Sequence, residues 1–124
     1  MAKKSSEKNL QDLQKMVIAF RDARNWKQFH NPKDLALSMV LEAGEVMEHF
    51  QWKNNSEIEK YTSEHKDEIA DELADVLSYI LIIANDLNIN ISKALEIKTE
   101  KNNKKYPVEK AKGKSTKYMS LIHI

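Results

Sequence analysis

The chain holds 124 residues with 20 basic and 19 acidic side chains, a net charge of +1, so bulk charge draws it to neither nucleic acid nor an anionic membrane. Its length fits one domain, and zero cysteines exclude a disulfide scaffold, a zinc ribbon and a thiol nucleophile. Two glycines and two prolines leave little material for the tight turns of an all-β fold, while 31% charged against 41% hydrophobic residues favours amphipathic helices in an all-α class.

Four helices are expected. The first runs from Leu10 to Arg24, with Leu10, Leu13, Val17 and Phe20 on one face. A link, Asn25-Trp26-Lys27-Gln28-Phe29-His30, leads to a start signal: Asn31 as N-cap, Pro32 at the first helical position and Asp34 in the first turn. The second helix should reach Gln51, with Leu37, Val40, Leu41 and Met47 available for the core. Residues 57–62 read as a short helical turn or loop, and Thr62 or Ser63 as the cap of a third helix extending to Leu87. That helix carries the core stripe Ile69, Leu73, Val76, Ile80, Ile83 and Leu87. A fourth helix, Ile91 to Lys105, is stopped by Pro107. The domain is therefore placed at residues 1–106, followed by an extended or mobile Lys-rich tail, 107–124.

From Val76 to Ala84 nearly every position is apolar. A small bundle cannot cover all sides of such a helix, so a four-helix bundle completed by oligomerisation, as a homodimer or homotetramer, is expected. The stretch is far shorter than the roughly 20 residues that span a bilayer. The N-terminal segment is basic with no apolar run behind it. A cytoplasmic protein with no membrane or nucleic-acid partner follows as the expectation.

The chemistry is carried by two acid pairs, Glu42-Ala43-Gly44-Glu45 on the second helix and Glu72-Leu73-Ala74-Asp75 on the third. Acids three apart share one helix face and repel unless a cation lies between them. Two such pairs facing one another make an all-oxygen site suited to Mg²⁺, with Mn²⁺ as a substitute. No histidine stands at i+3 or i+4 within the pairs, which argues against a di-iron arrangement. In a chain with 19 acids such spacing is often only a solvated face. Against that stand the apolar run before Glu42, the mid-helix Gly44, read as excluding bulk beside the acids, and the apolar run after Asp75. Glu68 and Asp71 repeat the spacing one turn earlier, and Asp71 is rotated by about 100° from Glu72, so these two are read as outer or solvated groups. Among the aromatics, Trp26, Trp52 and Tyr79 can stack on a base, and His30 or Gln28 can hydrogen-bond its edge. On the fourth helix Lys98, Asn102 and Lys105 recur at i, i+4 and i+7 and can meet phosphate oxygens.

Trp26 to His30 (WKQFH), Leu41 to Trp52 (LEAGEVMEHFQW), Asp71 to Tyr79 (DELADVLSY) and Lys98 to Pro107 (KTEKNNKKYP) resemble the MazG-like all-α nucleoside triphosphate pyrophosphohydrolases, and within them the dCTP pyrophosphatase branch. The tail KGKSTKY fits the same branch. This resemblance implies a MazG-like bundle and a Mg²⁺-dependent hydrolase that splits a nucleoside triphosphate between its α and β phosphates. The substrate it implies is dCTP or a related or modified pyrimidine deoxynucleotide. It also implies Glu42, Glu45, Glu72 and Asp75 as metal ligands, Trp26, Trp52 and Tyr79 as base contacts, and Lys98 and Asn102 as triphosphate contacts. Glu45, with Glu48 as a second candidate, is the general base of choice. One position departs from the animal members of the branch, where a first-helix histidine gives way to Val17. The rival readings are the same chemistry on dUTP or a non-natural nucleotide, and a non-catalytic helical interaction module. The last of these would show neither Mg²⁺-stabilised melting nor pyrophosphate release.

Overall fold

The computed structural model describes residues 7–113, and among them only helices and turns occur. The chain divides into two compact units, Met1–Ile89 and Asn90–Ile124. In the first, α1 (Leu10–Ala23) leads through a 3₁₀ turn (Lys27–Phe29) to α2 (Pro32–Glu48), α3 (Asn55–Glu64) and α4 (Lys66–Asp86). In the second, α5 (Ile91–Lys105) is followed by α6 (Val108–Ala111).

Asparagine writes the helix ends. Asn9, Asn31, Asn54 and Asn90 each accept a backbone N–H three residues on, satisfying a donor that α1, α2, α3 and α5 would otherwise leave free. At Asn54 the Glu57 carboxylate returns a bond to the cap N–H at 2.8 Å, completing a capping box. Two further asparagines, Asn25 and Asn88, take φ of 57° just beyond α1 and α4. There Trp26 N–H reaches the Arg21 carbonyl and Ile89 N–H that of Ala84, the bond that closes a Schellman end. Asparagine tolerates this left-handed conformation better than other residues with a Cβ.

Three boundary expectations are corrected. The segment read as a short helical turn or loop at 57–62 belongs to a longer helix, α3, which the Asn54–Glu57 capping box starts. Thr62 and Ser63 lie inside α3 with their hydroxyls bonded back to Glu59 and Lys60 carbonyls, and α4 starts at Lys66 after the His65 junction. The second helix ends at Glu48, not Gln51, since the chain turns at His49 and Phe50. Pro107 does end α5, but Val108–Ala111 turns helical, so the described start of the tail is not extended. Lys114 and Lys117 lie outside the described residues.

α2 packs chiefly on α4, and α1 and α3 pack on it too. α1 and α4 run parallel: Gln14 Nε2 donates to the Leu81 carbonyl at 2.8 Å, and Arg21 meets Asp86 five residues further on. α2 runs against α4, since Glu42 lies beside Asp75 while the later His49 lies beside Glu72. Leu35, Leu81, Ile82 and Ala84 form the buried core. The core assignment therefore changes. Leu37, Val40, Leu41, Met47 and Leu73 are all more than half exposed in the single chain, and Phe20 and Leu87 are about half exposed. A helix apolar on every side does not reveal by periodicity which side meets its neighbours. No single helix among the described residues is long and apolar enough to cross a membrane.

Arg21 is 2% exposed and donates from one guanidinium nitrogen to both Asp86 oxygens, at 2.8 and 3.1 Å. Burial alone would raise the Asp86 carboxyl, but the hydrogen bonds from Arg21 and Asn85 and the Arg21 charge hold it below its usual 3.8. The stabilisation is therefore present at neutral pH and lost as the pH falls through that lowered value. We predict that Asp86→Asn, which leaves a buried guanidinium without its main partner, lowers stability by roughly 3 kcal/mol in urea unfolding at pH 7. The gap between wild type and variant should close as the pH falls through the lowered Asp86 value.

Candidate active site

The acids of the two motifs meet across the α2–α4 contact. Glu42 stands beside both Asp75 and Glu45, and its carboxyl is raised above the ordinary 4.5, first by partial removal from water and then by the charges of Glu45 and Asp75. That upward shift marks a place where negative charge accumulates. Glu72, one turn before Asp75, is drawn aside: its Oε1 lies 3.4 Å from His49 Nε2. Among the described residues no three acidic or histidine side chains are already gathered in metal-holding geometry. The donor set, all carboxylate oxygen, suits a hard divalent cation. Gly44 does not act as expected, for a Cβ there would meet nothing within 4 Å in this chain.

Beside these acids lies a cavity of about 420 Å³. One wall is the face of α4 carrying Asp75, Ser78, Tyr79 and Ile82, at i, i+3, i+4 and i+7. The opposite wall is the face of α1 carrying Met16, Val17, Phe20 and Arg21, and the link after α1 supplies Trp26 and His30. Trp26 meets Phe20 edge to face at 5.8 Å, and the Arg24 guanidinium covers the Phe20 ring at 3.7 Å. Asp75 belongs to both the acid cluster and the cavity wall, which joins an anionic end to an aromatic chamber. Arg21 Nη1 lies 3.5 Å from His30 Nδ1, tying the His30 ring to the buried ion pair.

The structure thus brings together Glu42, Glu45 and Asp75, and separately Trp26, His30, Tyr79 and Asp75. Gln28 is exposed in the 3₁₀ turn and spends its amide on the Asn25 carbonyl at 2.9 Å, away from the cavity wall. Trp52 is 86% exposed in the turn after α2 and does not line the cavity either. Lys98 and Asn102 sit one turn apart on α5 in the second unit, where the Asn102 carbonyl accepts the Tyr106 N–H that ends the helix. Unforeseen from the sequence were Met16, Phe20, Arg21, Ser78 and Ile82 in the wall, and His49 beside Glu72. The wall residues had a legible signal, since Met16, Val17, Phe20 and Arg21 share one helix face.

Known proteins share this fold. A MazG-like family pattern matches residues 37–121. dCTP pyrophosphatase 1 of Bos taurus is 34% identical over 121 residues, 96% of this chain and 72% of that protein. The Homo sapiens protein of the same name is 34% identical over 121 residues, 96% of this chain and 71% of its own length. A solved structure of a pyrophosphatase from Archaeoglobus fulgidus superposes with a TM-score of 0.75 at 36% identity, covering 86% of this chain and 99% of that one. The fold and these likenesses define an all-α nucleoside triphosphate pyrophosphohydrolase. The chain belongs to the MazG-like family, whose pyrophosphatases are generally divalent-metal dependent.

The crowding has a measurable consequence. Glu42 holds its proton more tightly folded than unfolded, so without a divalent cation its contribution favours the fold near and below pH 4.5 and is lost as the pH rises through the raised value. Glu45→Gln or Asp75→Asn should therefore raise the melting temperature of the cation-free protein at pH 7. Calorimetry in EDTA checks this, and a lowered melting temperature in both variants would contradict it.

Proposed function

We propose that the protein cleaves dCTP, or a related or modified pyrimidine deoxynucleoside triphosphate, to the monophosphate and pyrophosphate. The observation that carries this reading is the junction at Asp75, where an aromatic-walled cavity opens beside the clustered carboxylates. Relatives named dCTP pyrophosphatase 1, at 34% identity over nearly the whole chain, support the choice of base. The pyrimidine lies against Trp26 and Tyr79, with His30 at its edge, and the triphosphate extends past Asp75 toward Glu42, Glu45 and Glu72. Mg²⁺, or Mn²⁺ in its place, held by these four carboxylates, would offset phosphate charge and acidify a water. Glu45 accepts the proton of the attacking water. With the triphosphate oriented and its charge screened, attack at the α phosphorus breaks the bond to the bridging oxygen and releases pyrophosphate.

A second reading rests on Val17. An apolar residue in the cavity wall removes one group able to read the base edge, which favours a wider pyrimidine range that includes dUTP or a modified base. The exposed Leu37, Val40, Leu41 and Leu73 support a homodimer or homotetramer, and Trp52, Lys98 and Asn102 complete the nucleotide site in that assembly. The setting proposed is the cytoplasmic nucleotide pool.

Pyrophosphate release from a panel of canonical and modified triphosphates tests the reaction. Release from dCTP and modified pyrimidine deoxynucleotides, abolished by EDTA, is expected. Glu45→Gln should lower kcat by about 10²–10⁴-fold with an unchanged fold. Release of inorganic phosphate alone, or turnover in EDTA, would overturn the reading. Light scattering at micromolar concentration should give a multiple of 14.4 kDa, and an active monomer would refute the assembly.

A further inference from the structure

His49 closes α2 and is half-buried beneath α3 and α4, with its two ring nitrogens engaged on opposite sides. Nδ1 lies 2.6 Å from the Tyr61 hydroxyl on α3, and Nε2 lies 3.4 Å from Glu72 Oε1 on α4. Tyr61 is itself fixed. Its ring stacks on His65 with centroids 4.0 Å apart at 15°, and the Lys53 ammonium stands 4.1 Å from its centroid.

The protons follow from the partners. A phenol is a good donor at neutral pH, so Nδ1 accepts from Tyr61 and the imidazole proton sits on Nε2, toward Glu72. The other tautomer would aim a nitrogen lone pair at a carboxylate. A fully protonated ring also presents N–H at Nε2, so the direction of the dipole is the same in both charge states. At 3.4 Å the contact is long for a hydrogen bond, yet the N–H dipole still attracts Oε1 and limits rotation of the carboxyl group.

We propose that the chain Tyr61–His49 is a positioning device for Glu72, engaging Oε1 so that Oε2 is presented toward the divalent cation. This rests on the reading of Glu72 as a metal ligand. Groups that fix ligand carboxylates and imidazoles commonly alter metal affinity by 10- to 100-fold. His49 and Tyr61 touch neither substrate nor reacting atoms, so they act through Glu72 alone.

The test measures Mn²⁺ binding to the full chain without nucleotide, by the electron paramagnetic resonance signal of free Mn²⁺, beside the melting temperature in EDTA. Four variants serve: His49→Leu, His49→Gln, Tyr61→Phe and Glu72→Gln. His49→Leu is expected to weaken Mn²⁺ binding about tenfold, and Tyr61→Phe to weaken it less. His49→Gln, which keeps an N–H donor near the Nε2 position, should recover most of the affinity at a melting temperature no higher than that of His49→Leu. A merely structural role would make affinity track melting temperature across the series. Wild-type affinity in both His49→Leu and Tyr61→Phe, with binding lost in Glu72→Gln, overturns the positioning role and leaves the ligand reading intact. Wild-type affinity in Glu72→Gln overturns the ligand reading itself. If His49→Leu does not fold, His49→Gln and Tyr61→Phe decide between the same outcomes.

Discussion

Too many carboxylates in too little space is the constraint around which this protein is arranged. Glu42, Glu45 and Asp75 come from two antiparallel helices, and partial removal from water together with the charges of Glu45 and Asp75 raises the Glu42 carboxyl. Helix packing accepts this arrangement although, among the described residues, the buried hydrophobic core is no more than Leu35, Leu81, Ile82 and Ala84. Such a small core cannot hold like charges together without something to offset them. A divalent cation relieves the repulsion, which makes the cation-binding reading a consequence of folding as much as of catalysis. The Arg21–Asp86 pair does the opposite work at the far end of α4, tying α1 to the same helix with charges that are matched. Between the two ends lies the cavity, so one helix carries the unmatched acid, the aromatic wall and the matched pair in successive turns.

Much of this was legible in the residues. The caps at Asn31 and the stop at Pro107 place two helices by chemistry alone. Three-residue spacing of acids put Glu42 with Glu45 and Glu72 with Asp75 on common faces, and the family likeness then supplied the roles to test. Local signals failed where tertiary choice decides. From Val76 to Ala84 helix α4 offers an apolar group in every direction, and the chain buries Leu81, Ile82 and Ala84 in preference to the Leu73–Leu87 stripe. The exposed leucines of α2 have the same origin: a face made for burial was identified, but periodicity does not say whether the covering surface belongs to the same chain.

The extent of α3 and the place of His49 escape the sequence for different reasons. The Asn54–Glu57 box was present in the sequence and decides the start of α3, yet a helix so polar shows little apolar periodicity to attract notice. His49 lies outside the acid motifs, and nothing in its spacing announces Glu72, because their proximity arises only once α2 runs against α4 with α3 bringing Tyr61 alongside. Gln28 shows the converse. Its amide looked suited to a base edge, but the tight turn after α1 uses it to satisfy the Asn25 carbonyl.

A divalent-cation site between α2 and α4, at the mouth of the aromatic cavity, is the proposal on which the mechanism rests. Crystals grown with Mn²⁺ and a non-hydrolysable α,β-methylene dCTP analogue, with diffraction recorded at the manganese absorption edge, test it most directly. Anomalous peaks bounded by Glu42, Glu45, Glu72 and Asp75 are expected, with the pyrimidine between Trp26 and Tyr79. Manganese at other carboxylates, or a base outside that cavity, would contradict it.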